Sequence, residues 1–337
     1  MGGAGARATG GGLGLPVADE FSRSVDCIGF DDDAGDGDRS FVSAGRARID
    51  RTDPRVALAV AWATLFLVGT DLFVVSPLLP LIAADYGVPS QTAGFTVTGF
   101  ALSYMVSAPF FGHAADRYGR SRVLSWCLAG FAIANLLSAC AGSLEALVVA
   151  RVLAGCMAAG VTPSIYALVG DHAPSGRRGT WLAIAVSGLL MSLSLGAPLG
   201  ALAGTSFGWS RVFIAFGAIG AAVLLTNHMV WRKSSPAGEP EEASRPEALV
   251  SVQRLGLTVL WSTALYGMYT YLGAGLSGAG FTAEQVAALI FLYGAGAVAG
   301  NLVGGHLADR FGPPRVIGLS LFCFSAGLIG LRFAFQM

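Results

Sequence analysis

The chain has 337 residues, of which 54% are hydrophobic and 12% are charged, and its mean hydropathy is +0.63. A soluble domain carries about 25% charged residues. Half that level over this length excludes an ordinary globular domain and points to a polytopic membrane protein. The net charge of zero gives no attraction to nucleic acid.

Residues 1–54 differ from the rest. "MGGAGARATGGGLGLP" is glycine-rich and "DDDAGDGD" is acidic, and neither holds enough apolar surface to fold. They read as a disordered tail on the cytoplasmic side, or as residues added by an early start codon. No secretory h-region precedes Val56.

A helix needs about 20 apolar residues to cross the hydrocarbon core. Nine stretches qualify: 56–83, 93–111, 123–141, 146–169, 181–205, 212–231, 255–276, 285–305 and 316–331. Helix is required, because an open strand would leave its backbone unpaired in lipid. The expected fold class is therefore an all-α integral membrane protein with nine predicted transmembrane helices. Its divisions are the tail 1–54, a six-helix bundle 55–231, a cytoplasmic linker 232–254 and a three-helix bundle 255–337.

Loop charges set the orientation. Arg46, Arg48, Arg51 and Arg55 precede span 1, and Arg117, Arg120 and Arg122 lie between spans 2 and 3. Arg177 and Arg178 follow span 4, four basic residues lie in the linker, and Arg310 and Arg315 follow span 8. On the other side only the 5–6 turn has a cation, Arg211. This asymmetry predicts a cytoplasmic N-terminus in a multi-pass plasma (inner) membrane protein.

One polar phrase is written twice. "GHAADRYGR" begins at Gly112, and "GHLADRFGP" begins at Gly305. Gly112/Gly305, Asp116/Asp309, Arg117/Arg310 and Gly119/Gly312 all differ by 193 (305 − 112). Each phrase joins the second and third span of its half. Such duplication marks secondary transporters, in which two halves rock about a central site.

The phrase resembles the signature G-x-x-x-D-R-x-G-R of the major facilitator superfamily, present here as Gly112, Asp116, Arg117, Gly119 and Arg120; the second copy has Pro313 in place of the last arginine. Arg151 and Gly155 resemble that family's R-x-x-x-G in helix 4. "GAPLG", with Gly196, Pro198 and Gly200, resembles its G-x-P-x-G element of exporters, and "GWSRVF" its W-R-x-x-F opening of helix 6. The likeness covers residues 55–337. "LFVVSPLLPLIAADYGVPSQTAG" and "YTYLGAGL" look like the drug:proton antiporter group, in its arabinose-efflux and chloramphenicol-resistance branch. The resemblance implies twelve helices. Nine are counted here, so the expectation is a chain lacking helices 10–12, as a fragment or a truncated gene.

That likeness implies proton-coupled efflux of drugs, sugars or nucleosides by alternating access, from a monomer in the lipid bilayer. The alternatives are a truncated, non-transporting membrane protein and a proton-coupled uptake permease. Asp71 is the one acid deep in an apolar span, where a carboxylate costs a few kcal/mol on insertion scales. Arg151 is its natural partner, about 7 Å below the outer end of helix 4 against about 13 Å for Asp71 at 1.5 Å per residue. Both are candidates for proton coupling.

Asp116 is read at the start of helix 3, where the helix dipole favours an anion. In the family it helps latch the halves on the cytoplasmic side, so Gly112, Asp116, Arg117, Gly119 and Arg120, with Gly305, Asp309, Arg310 and Gly312, are the candidate latch; the arginines are also read as holding the loop at the anionic lipid surface, and Asp309 is expected to meet the cytoplasmic end of helix 5. The small residues at 196, 200 and 204 allow close helix packing, and a bend at Pro198 is the exporter reading. Phe73, Tyr104, Asn135, Tyr166, Tyr269, Tyr271 and Asn301 are weaker candidates for a substrate cavity.

No enzyme motif survives inspection. There is no Walker loop, and the glycine pattern at 294–305 lies in a span with no strand before it. The five cysteines have no metal or redox spacing. No cofactor is expected.

Overall fold

The computed structural model describes residues 53–231 and 280–334, together with Gly256, Leu260 and Leu276. The tail, the linker, most of the seventh span, Tyr269 and Tyr271 lie outside the described residues.

Eight long helices make up the described fold: α1 (Pro54–Tyr86), α2 (Ser90–Tyr118), α3 (Arg120–Ala139), α4 (Leu144–His172), α5 (Arg178–Phe207), α6 (Trp209–Trp231), α7 (Ala283–Phe311) and α8 (Pro313–Ala334). Among the described residues the first six are long and apolar enough to cross a membrane. They coincide with predicted spans 1–6, and α7 and α8 cover spans 8 and 9. The expected count of nine is not reached here, because span 7 falls outside the described region.

Local chemistry sets the ends. Asp53 caps α1 by accepting from the Arg55 amide at 2.9 Å, with Pro54 in the first turn. Ser143 caps α4 in the same way. Thr282 and Gln285 form a reciprocal capping box at the start of α7. The helices run a few residues past the apolar stretches, because caps rather than hydropathy end them.

The first half is a bundle in which α2 and α3 pack on α4, α6 on α3, and α1 on both α5 and α6. α1 and α4 are the most enclosed, and α2 the least. Polar ties fix this order. Asn227 of α6 donates to the Thr64 hydroxyl of α1 at 2.8 Å and accepts from the Trp231 indole at 2.9 Å. At the other end Trp209 donates to Asp85 at 2.8 Å, and the Tyr86 hydroxyl donates to the Ala141 carbonyl at 2.7 Å. Each tie satisfies a group that would be costly unpaired in an apolar interior.

α5 is continuous but not regular. Ser192–Gly196 forms a π-helical turn immediately before Pro198. Such turns are frequent at functional sites. The small residues face α1: a Cβ on Gly196 would meet Thr70 Oγ1 at 2.1 Å, and one on Gly200 would meet Val74 Cγ2 at 2.2 Å. The close-packing reading of "GAPLG" is thus the geometry observed. The second half meets the first through α7, which packs on α5.

Candidate functional site

The duplicated phrase folds the same way twice. α2 ends at Tyr118 and α7 at Phe311, and the next residues, Gly119 (φ 93°, ψ 133°) and Gly312 (φ 85°, ψ 146°), share one backbone shape. Only glycine enters that region without strain. Arg117 lies 5.6 Å from the Tyr118 ring, and Arg310 lies 5.3 Å from the Phe311 ring.

This geometry corrects the placing of Asp116. It stands in the last turn of α2 rather than at the start of α3, because Gly119 stops the helix after Tyr118. It is exposed and makes no hydrogen bond or ion pair among the described residues. Arg120 is also not free to close against the second half. It is ion-paired with Asp171 at the end of α4, inside the first half. Gly112 has open space around it among the described residues.

The second copy is engaged. Asp309 accepts from the Gly179 amide at 2.7 Å, the Thr180 amide at 2.7 Å and the Thr180 hydroxyl at 2.6 Å. Those amides belong to the first turn of α5, where no intrahelical acceptor exists. An anion on a helix N-terminus is thus present, but the helix is α5, across the junction between halves. Burial pushes the Asp309 pKa up. The bonds from Thr180 and Gly179, with the charge of His306, outweigh it and hold the carboxyl below its usual range. Gly305 makes the approach possible: a Cβ there would meet Ala183 Cβ at 2.4 Å and the Gly179 carbonyl at 2.7 Å. Beside it Asn301 donates to the Ala183 carbonyl at 2.6 Å and lines a cleft of about 380 Å³ between α5, α7 and α8.

The second cluster lies inside the first half. Arg151 and Asp71 are both 0% exposed. Arg151 Nη1 donates to Asp71 Oδ1 at 2.9 Å, and Nη2 donates to Oδ2 at 3.0 Å. This is the bidentate fork that arginine forms with a carboxylate. Nη2 also reaches the Asp71 carbonyl at 3.3 Å. The guanidinium carbon lies 4.5 Å from the Phe100 ring and 5.2 Å from the Phe213 ring, within cation–π range of both. Arg151 Nε is buried with no hydrogen-bond partner among the described residues. Gly155, one turn on, lets α2 come close: a Cβ would meet the Phe100 carbonyl at 2.3 Å.

The remaining candidates divide. Asn135 is fully buried, bonded to the Phe131 carbonyl at 3.1 Å and 3.5 Å from Arg151 Nη1. It stands behind the ion pair and does not line the cleft that Asn301 lines. Tyr104 donates to the Thr162 hydroxyl at 3.0 Å, which makes it a link between α2 and α4. Tyr166 and Phe73 are half-buried, with Tyr166 packed against the apolar core. No periodic signal marks Asp171, Phe100 or Phe213 as partners, since each is met across helices; only the W-R-x-x-F likeness touched Phe213.

The two halves, the repeated turn and the buried pair define a membrane helical bundle of the transporter class. The chain belongs to the Major Facilitator Superfamily, whose family model matches residues 61–337. It is 31% identical over 280 residues to the uncharacterized MFS-type transporter YceJ of Bacillus subtilis, covering 81% of this chain and 72% of YceJ. It is 31% identical over 279 residues to the chloramphenicol resistance protein of Streptomyces lividans, covering 79% of this chain and 69% of that protein. The fold is similar to that of the proton:xylose symporter XylE bound to 6-bromo-6-deoxy-D-glucose, with a TM-score of 0.56 at 14% identity, covering 77% of this chain and 70% of that one. The protein is a multi-pass membrane transporter, and these relatives are transporters rather than enzymes.

Proposed function

We propose that the protein exports small organic molecules across the plasma (inner) membrane in exchange for protons, by alternating access, with its N-terminus cytoplasmic. The observation that carries this reading is the fully buried, bidentate Asp71–Arg151 pair. Paired, the two charges neutralise each other. Once they part, a lone carboxylate at mid-helix costs a few kcal/mol on insertion scales, and taking up a proton removes that charge. Arg151 stays held between the Phe100 and Phe213 rings. When Asp71 gives its proton to the other side, the fork re-forms.

The contact of Asp309, on α7, with the first turn of α5 shuts the cytoplasmic face, and it opens when the halves rock. The π-turn before Pro198 lets α5 flex while its ends stay packed. The likeness to a chloramphenicol resistance protein supports export and makes chloramphenicol the first probe. The test is uptake of chloramphenicol into inside-out vesicles, driven by an imposed pH gradient. Asp71→Asn is expected to abolish the gradient-driven part; unchanged uptake would remove Asp71 from the mechanism.

A further inference from the structure

A crevice of about 580 Å³ runs between α1, α5 and α6. Trp62 and Phe66 of α1 line it together with Leu199, Phe207 and Ile219. Leu199, Phe207 and Ile219 are 60%, 63% and 50% exposed, so the crevice opens sideways, where lipid would stand. No residue of α4 lines it, nor do Asp71 and Arg151, so it is separate from the ion-pair site. Its deep polar side chain, Thr70, spends its hydroxyl on the Phe66 carbonyl at 2.7 Å. The walls therefore offer hydrocarbon contact rather than hydrogen bonds, and an apolar slot of this kind does not hold water.

One end is different. Arg211 lines the mouth beside the α5–α6 turn, is exposed, and makes no ion pair or hydrogen bond among the described residues. No other Lys or Arg lies in the 1–2, 3–4, 5–6 or 7–8 turns, which share that membrane face. It is the third residue of α6, so the positive end of that helix dipole is at the same level. From Arg211 to Val223, the lining residue farthest along α6, is 12 residues (223 − 211), or about 18 Å at 1.5 Å per residue. One leaflet of a hydrocarbon core about 30 Å thick is about 15 Å deep. The slot is thus one leaflet deep, apolar along its length and topped by an unpaired cation.

We propose that this crevice holds one acyl chain of an anionic phospholipid, with the lipid phosphate paired to Arg211. The site depends on neither the transported substrate nor the proton step. The experiment is native mass spectrometry of the full chain, incubated with dioleoyl phosphatidylglycerol or dioleoyl phosphatidylcholine. One arginine at a membrane surface gives a preference for the anionic lipid of about fivefold. Arg211→Gln is expected to erase that preference and Arg211→Lys to keep most of it, since a monodentate cation still pairs with phosphate. Ala215→Phe, which fills the crevice from an exposed lining position, is expected to lower retention of both lipids. Equal retention of the two lipids by the native protein, or a preference that survives Arg211→Gln, would overturn the head-group assignment. Unchanged retention in Ala215→Phe would overturn the crevice as the site.

Discussion

Replacing Asp309 with alanine tests the contact between the halves. The Gly179 and Thr180 amides are in the first turn of α5, and the acceptor for each is a carboxylate oxygen of Asp309 at 2.7 Å. The Thr180 hydroxyl adds a third bond at 2.6 Å. A hydrogen bond to a charged group contributes about 1.5–3 kcal/mol. Asp309 is only half-buried, so solvent screens the set, and about 2–3 kcal/mol for all three together is a fair magnitude. That corresponds to about a thirty- to 150-fold shift towards the parted state. Hydrogen exchange of the two amides reads it directly, because neither has an intrahelical acceptor. Asp309→Ala is expected to speed their exchange by that factor, with the middle of α5 unchanged. Equal exchange in the variant and the native protein would refute the reasoning.

Gly305→Ala leaves Asp309 in place but puts a methyl 2.4 Å from Ala183 Cβ and 2.7 Å from the Gly179 carbonyl; overpacking of about 1–3 kcal/mol is expected to expose the same two amides to exchange. Asp71→Asn leaves Arg151 buried without its counter-charge, a loss of about 3–5 kcal/mol for a broken buried pair, and is expected to lower the melting temperature in detergent as well as stop gradient-driven transport. Gly155→Ala meets the Phe100 carbonyl at 2.3 Å, so α2 must move off α4, and a fall in melting temperature is expected; an unchanged value would contradict the close approach. The pH dependence follows from Asp309, whose carboxyl is held below its ordinary value of 3.8. Its contribution is complete above that value and fades as pH falls through the lowered one. Protection of the Gly179 and Thr180 amides, corrected for intrinsic exchange, is therefore expected to stay level from neutral pH down to about 4 and to fall below it.

Element existence was legible in the sequence because bilayer thickness fixes helix length. Spans 1–6, 8 and 9 all have their helix, with ends shifted by caps such as Asp53, Ser143 and the glycines at 119 and 312. Depth arithmetic brought Asp71 and Arg151 to similar levels, but it could not show that they face each other. Helices that are apolar all round carry no stripe to reveal their inward face. The same blindness hid that Asn135 backs the ion pair. For Arg120, loop charge suggested the membrane surface or the latch, while the fold supplied Asp171 from the far end of another helix. Asp116 and Asp309 share the motif G-H-x-A-D-R-aromatic-G, yet only Asp309 is bonded among the described residues. The shared motif does not reveal that difference, because the amides that bond Asp309 come from α5, far away in the chain.

The sidedness of the two phrases tests most directly the claim that equivalent half-bundles meet at one membrane face. His113 and His306 occupy matched positions, 193 residues apart (306 − 113), and both are exposed. Each is replaced in turn by cysteine in a chain whose own cysteines are serine, and intact cells and inside-out vesicles are labelled with a membrane-impermeant maleimide. The expected result is labelling of both positions in inside-out vesicles and of neither in intact cells. Labelling of the two positions from opposite sides would contradict the two-half arrangement, and the contact of Asp309 with α5 could not then serve as a cytoplasmic closure.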